Sequence, residues 1–131
     1  MKLLHLTIAL MFMLLPLSSI AQNDSVYIKP DKMPEYVGGE NAKNKFIQKN
    51  LQYPKNPRHK HINGKVVADV IVEKDGSLSN IRILRSLDPD FDKEVKRVIS
   101  MMPKWKPAYH QNQPVRARIN IPIVFILTDY N

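Results

Sequence analysis

The residues of this sequence that could perform acid–base chemistry are grouped after Leu87. The carboxylates in this group are Asp88, Asp90, Asp92 and Glu94. They surround the start of a predicted helix, where N-capping and the helix dipole account for acidic side chains. Ser77 supplies a hydroxyl, but no nucleophile motif surrounds it and no base is paired with it. The sequence therefore favours a protein that is not an enzyme.

Two histidines at a spacing of two are the nearest approach to a metal-binding pattern. His59 and His61 lie within the basic segment 58–61. A zinc site needs three or four ligands, whereas the next histidine along the chain is the distant His110 and there is no cysteine. We therefore predict no metal site and no other cofactor.

The residues that could bind a partner lie in a predicted strand from Val115 to Leu127. One face of this strand is continuously apolar, and the other carries Arg116, Arg118, Asn120, Pro122, Val124 and Ile126. Pro122 has no N–H for a ladder hydrogen bond, which is typical of sheet edges and bulges. We expect the strand to pair on one side and to leave part of its other side open, guarded by the two arginines. An open edge can accept a peptide as an added strand.

The first 21 residues have the order of a secretory signal peptide. A basic start is followed by a nearly continuous apolar run and by small residues that end at Ala21. The alternative is an uncleaved membrane anchor, for which about 20 apolar residues are needed. We predict a signal peptide at 1–21, an extended lead-in at 22–35 and one domain at 36–131.

Without the first 21 residues the chain remains basic. Loss of Lys2 leaves 19 Lys plus Arg against 12 Asp plus Glu, a net charge of +7. No basic stripe is interleaved with aromatic residues, so nucleic acid is not an expected partner. An acidic protein or an envelope polyanion fits this charge better.

Two helices are predicted to position these features. The first follows Gly38-Gly39, ends before Pro54, and has an apolar side. The second begins at Asp88-Pro89, a good N-cap followed by a good first helical residue. Its apolar stripe consists of Phe91, Val95, Val98, Ile99 and Met102. This stripe should face a sheet.

A predicted hairpin precedes the second helix. Val66, Ala68, Val70 and Val72 alternate with Lys65, Val67, Asp69, Ile71 and Glu73. The turn is Asp75-Gly76, and the returning strand runs from Leu78 to Leu84. We interpret Trp105 as a packing residue. The fold class is thus α+β, in the order helix–strand–strand–helix–strand, with a three-stranded antiparallel sheet packed against two helices.

This order and its motifs resemble the TonB C-terminal domain family over residues 34–127. The matching segments are 34–40, Gln52-Tyr53-Pro54, 62–66, 75–78, 91–95, 105–108, 114–115 and 121–125. The resemblance implies a domain that captures a short peptide of an outer-membrane transporter beside its last strand. It also implies that Gln52, Tyr53 and Pro54 join Arg116–Ile126 in the peptide site.

The sequence differs from a full-length TonB protein in the segment before the domain. The Pro-rich spacer is missing, and the 13 residues from Gln22 to Pro34 reach at most about 45 Å. We therefore expect a short, periplasmic TonB-like module that binds an outer-membrane transporter or another envelope protein, with a second copy of the chain as a further candidate partner. The alternatives are an inner-membrane-anchored form and a stand-alone envelope module without energy transduction. Membrane contact is expected only if residues 1–21 are retained.

Overall fold

The computed structural model describes residues 24–56 and 62–126. Its elements are β1 (Val26–Tyr27), α1 (Gly39–Asn50), β2 (Gly64–Val72), β3 (Leu78–Arg85), α2 (Pro89–Ser100), β4 (Ala108–His110) and β5 (Gln113–Phe125). The α+β class and the predicted helix–strand–strand–helix–strand order are confirmed. The predictions for residues 1–21, for the histidines of 58–61 and for Leu127 lie outside the described residues.

The described sheet has five strands, two more than predicted from the sequence. Its order is β1-β5-β2-β3, and β4 also pairs with β5. The predicted hairpin of β2 and β3 is antiparallel, and β5 runs antiparallel along the other side of β2. The additional strands are only two and three residues long, too short to produce a periodic pattern in the sequence.

The helices form where their terminal residues favour them. Asp88 caps α2 by accepting a hydrogen bond from the Asp90 N–H at 2.9 Å, and Pro89 occupies the first turn. Four of the five predicted stripe residues of α2 are fully buried: Phe91, Val95, Val98 and Ile99. By contrast, α1 has no fully buried residue, and its apolar side chains are half-buried against the core.

The core lies between α2 and one face of the sheet. Alternate side chains of β2 and β5 supply it, as predicted: Val66, Ala68, Val70, Val72, Ile121, Ile123 and Phe125. Trp105 is 6% exposed and meets Tyr36 edge-on, with ring centroids 5.5 Å apart. The packing role predicted for Trp105 is confirmed.

The other face of the sheet, which we call the second face, is partly covered as well. Asp69 and Ile71 alternate with the core residues of β2, yet they are only 1% and 3% exposed. An isolated buried carboxylate is costly, so the burial of Asp69 requires partners of opposite charge. These partners belong to the candidate site.

Candidate functional site

The long strand β5 has one paired side and one largely unpaired side. β2 pairs with it from Ala117 to Phe125, while β1 pairs in parallel on the opposite side at Arg116 and Ala117. Among the described strands, none pairs with that opposite side beyond Ala117. We call this side of residues 118–125 the open edge. Such an edge presents backbone donors and acceptors in a row.

A groove of about 640 Å³ adjoins the open edge. Most of its lining comes from three parts of the fold, and Ile28 and Trp105 complete it. Met33, Pro34, Glu40 and Lys43 belong to the lead-in and α1, Asp69, Arg82 and Leu84 belong to the β2–β3 hairpin, and Arg118, Ile119 and Asn120 belong to β5. We call this the edge groove. Because it adjoins the unpaired backbone, a strand added there would meet side chains from all three parts.

Two arginines neutralise the buried carboxylate in the edge groove. Arg118 Nη1 donates to Asp69 Oδ2 at 2.5 Å, and Arg82 donates to the same oxygen through Nη2 and, at 3.2 Å, through Nε. Burial acts to raise the pKa of Asp69, but the hydrogen bonds and charges of the two arginines outweigh it and hold this pKa below its ordinary value. Asp69 Oδ1 is buried and has no hydrogen-bond partner among the described residues. The cluster carries a net charge of +1.

The remaining arginine of β5 fastens the lead-in to the sheet. Arg116 Nε donates to Glu73 Oε2 at 2.7 Å, and its Nη1 donates to the Asp24 carbonyl oxygen at 2.8 Å. The hydrogen bond from Arg116 lowers the pKa of Glu73. Arg116 and Arg118, expected to guard the edge, are thus each held by a carboxylate.

The carboxyl-terminal half of β5, together with the residue that follows it, is apolar on the second face. Val124 and Ile126 are 55% and 68% exposed, and Leu84 of β3 is 57% exposed. Pro122 lies opposite Val67 in the β2–β5 ladder and is exposed. The second face therefore changes from charged to apolar along β5, as the sequence pattern predicted.

The Gln52-Tyr53-Pro54 segment reaches β5 through its aromatic ring. Tyr53 packs edge-on against Phe91 and Phe125, with ring centroids 5.2 and 6.3 Å away, and its hydroxyl donates to the Ile62 carbonyl. The Gln52 N–H donates to Glu94 Oε1 at 2.8 Å, which attaches the segment to α2. This places Tyr53 at the carboxyl-terminal end of β5.

Apart from Arg116, which holds the lead-in, the predicted site residues fall into two groups. Arg118 and Asn120 line the edge groove, Pro122 and Val124 lie further along β5, and Ile126 directly follows its last residue. Gln52, Tyr53 and Pro54 line a separate cavity of about 430 Å³ against α2. The two groups meet where Tyr53 contacts Phe125.

Two residues of the edge groove, Asp69 and Arg82, were not predicted from the sequence. They are direct partners in the β2–β3 register. The ladder shifts register by one residue between Asp69 and Ile71, so the Asp75-Gly76 turn alone does not set this pairing. The available signal was only an acidic residue in β2 and a basic one in the neighbouring β3. Because β2 is mostly apolar, this pair of charges was not recognised in the sequence.

Neither a metal site nor a membrane span is found in the part of the chain that the structure describes. No three acidic or histidine side chains there are grouped to hold an ion. Neither described helix is long and apolar enough to cross a bilayer.

Comparison with known proteins gives one family. The model of the Gram-negative bacterial TonB protein C-terminal domain matches residues 49–127. No curated protein matches the chain significantly.

The solved structures that are similar to this chain are TonB C-terminal domains as well. The TonB C-terminal domain of Helicobacter pylori is 22% identical, with a TM-score of 0.46 over 66% of this chain and 78% of that one. The corresponding domain of Pseudomonas aeruginosa is 21% identical, with a TM-score of 0.45 over 62% of this chain and 85% of that one. A shorter form of the Helicobacter pylori domain is also 21% identical, with a TM-score of 0.45 over 68% and 94% of the two chains.

Proposed function

Because this chain belongs to the family of TonB C-terminal domains, we propose that it is a protein-binding module of the bacterial envelope that takes part in TonB-dependent transport. It binds a peptide of its partner as an additional strand along the open edge of β5. It performs no catalysis. The observation that carries this proposal is the unpaired side of β5 beside the edge groove.

The backbone of β5 supports strand addition. An extended peptide can pair with exposed N–H and C=O groups, while pockets beside the edge receive alternate side chains. The chain's own β1 already pairs with this side of β5, in parallel, at Arg116 and Ala117. The edge is therefore geometrically able to accept a strand.

The predicted site residues take different parts in this proposal. Arg118 and Asn120 contact the partner's polar side chains, and Pro122, Val124 and Ile126 contact its apolar ones. Tyr53 supports the carboxyl-terminal end of β5 through Phe125. Arg116 holds the lead-in, and a partner reaching the cavity against α2 meets Gln52 and Pro54.

The partner is an outer-membrane transporter or another envelope protein. A basic module suits an acidic partner, and the Gram-negative TonB family suits the periplasm. Export would follow from residues 1–21 acting as a signal peptide.

An amide NMR titration of residues 22–131 tests this function. The probes are synthetic peptides from the N-termini of outer-membrane transporters, and the control is each peptide with its order scrambled. We expect shifts concentrated on residues 118–126 and weaker shifts near Tyr53. A folded domain whose β5 amides do not respond at millimolar peptide would contradict strand addition.

A stand-alone envelope module is the second candidate function. The observation in its favour is that the described lead-in is docked on the domain, through β1 and the Arg116 hydrogen bond to Asp24. A docked lead-in does not act as a spacer. Recovery of transporters alone in a pull-down from envelope extract would argue against this candidate.

A further inference from the structure

The charged cluster of the edge groove lies on the row of residues that an added strand would extend. In the sheet register, Arg82 of β3 lies opposite Asp69 of β2, and Asp69 lies opposite Asn120 of β5. Arg118 lies two residues before Asn120 on the same face of β5. The next position on this row, beyond β5, belongs to the added strand.

We propose that Arg82 and Arg118 select a partner strand that carries a carboxylate side chain on the second face of the sheet. This inference rests on the proposed function. It adds the chemistry by which the edge distinguishes one strand from another, namely an acidic residue near the start of the open edge.

Both arginines have guanidinium N–H groups that donate to no described residue. Each guanidinium has five N–H groups in a planar fork. Arg82 uses its Nε and Nη2 on Asp69, and Arg118 uses its Nη1 there. No other acceptor for either side chain is found among the described residues, and the Arg82 side chain is 53% exposed. Free donors therefore remain at the groove.

The net positive charge of the cluster also favours a negatively charged partner group. Because two guanidiniums share one carboxylate, one positive charge is unbalanced beside an edge that is otherwise apolar or amide-lined. Hydrogen bonds between arginine and a carboxylate are short and strong. Lys43, the other cation of the groove, is already paired with Glu40 at 2.7 Å. The unbalanced charge therefore belongs to the arginine pair.

A strand fits this position better than a small anion does. Arg118 lies on β5 itself, and Arg82 of β3 meets it at Asp69. A side chain brought to Arg118 by ladder hydrogen bonds is therefore held beside the cluster. Opposite charges on neighbouring strands stabilise a sheet when they face each other. A side chain on the other face of the added strand would point away from the pair.

Peptide pairs on the unaltered protein provide the test. The probe is a capped peptide of about nine alternating threonine and valine residues, with one glutamate moved along its length. Each peptide is matched by one with glutamine at the same position. We expect one register in which glutamate binds about three- to ten-fold more tightly than glutamine, and in which added salt reduces that difference.

The outcomes separate the two proposals. Equal binding of glutamate and glutamine peptides, with shifts along residues 118–126, would overturn the carboxylate selection and leave strand addition standing. No binding by any peptide, including those from transporters, would overturn both.

Variants of the protein assign the effect to the arginines. Arg118→Gln and Arg82→Gln should each remove the preference for the glutamate peptide over the glutamine peptide in that register. Arg85→Gln is the matched control, because Arg85 is exposed on β3, the strand of Arg82, and has no ion pair among the described residues. If Arg85→Gln had the same effect as the other two, the pair would not be the selecting group. Arg118→Lys is measured instead if Arg118→Gln is unstable. It retains the charge beside Asp69 but lacks the planar fork of donors, so it should reduce the preference for glutamate without removing it.

Discussion

The Cβ atom that Gly76 lacks would lie 1.9 Å from the carbonyl oxygen of Trp105. The turn of the β2–β3 hairpin is docked on this backbone, and the Trp105 N–H donates to the Gly76 carbonyl at 2.8 Å. Gly76 also has a φ of +87°. No other residue type meets both requirements.

Gly76→Ala should therefore destabilise the domain strongly. We expect a loss of more than about 3 kcal/mol in the free energy of unfolding, from backbone overlap added to the cost of a positive φ. Gly39→Ala is the control, since Gly39 has a φ of +82° but nothing within 4 Å of its missing Cβ. It should cost about 1 kcal/mol. Urea denaturation measures both, and equal losses would show that the close approach to Trp105 is unimportant.

Tyr53→Phe separates the packing of Tyr53 from its hydroxyl. The ring contacts with Phe91 and Phe125 remain, while the hydrogen bond to the Ile62 carbonyl is lost. We expect a loss of about 1 kcal/mol in stability and no change in peptide affinity. A large fall in affinity with unchanged stability would instead mean that the hydroxyl contacts the partner.

The stability of the domain should fall in acid because of Asp69 and Glu73. The folded-state pKa of each is lowered, so each stabilises the fold above its unfolded pKa and loses that contribution as pH falls through its folded pKa. Unfolding free energy should therefore decline below about pH 4. Glu73→Gln should make the decline shallower, and Glu35→Gln, at an exposed position, should not. The same slope in all three proteins would contradict these assignments.

Shortening the lead-in should extend the open edge. A chain that starts at Lys29 lacks β1 and exposes the side of β5 at Arg116 and Ala117. If partners bind as an added strand, we expect tighter peptide binding and amide shifts that now include these residues. Substituting Asp24→Asn in the full chain is the control, because the Asp24 carbonyl that accepts from Arg116 remains. Weaker binding by the shortened chain would mean that the lead-in contributes to the site.

The fold was largely predictable because its major elements have local signals. Alternation in β2 and β5, the Asp75-Gly76 turn and the Asp88-Pro89 helix start each depend on neighbouring residues. The pairing of β1 does not, because it joins Val26 to Arg116, 90 residues further along the chain. β4 pairs with β5 across the short turn at Gln111 and Asn112, but its three residues are too few to form a periodic pattern.

The candidate site was predictable only in part, for a similar reason. An alternating strand with Pro122 indicates an open edge. It does not show that Asp69, on the outward face of an apolar strand, is buried between Arg82 and Arg118. That burial depends on the mutual placement of three strands. Alternation in the sequence predicts which face of the sheet a side chain occupies. It does not predict which neighbouring side chains bury it.

The two-residue strand β1 has a consequence for the register of an added strand. A partner that adds along the open edge meets the end of β1 at Tyr27 and can extend no further toward the start of β5. Because side chains alternate, a slip of one residue would turn every side chain of the partner to the other face. If partners bind as an added strand, the end of β1 would therefore fix where that strand begins. It would then determine which residue of the partner lies beside Arg118.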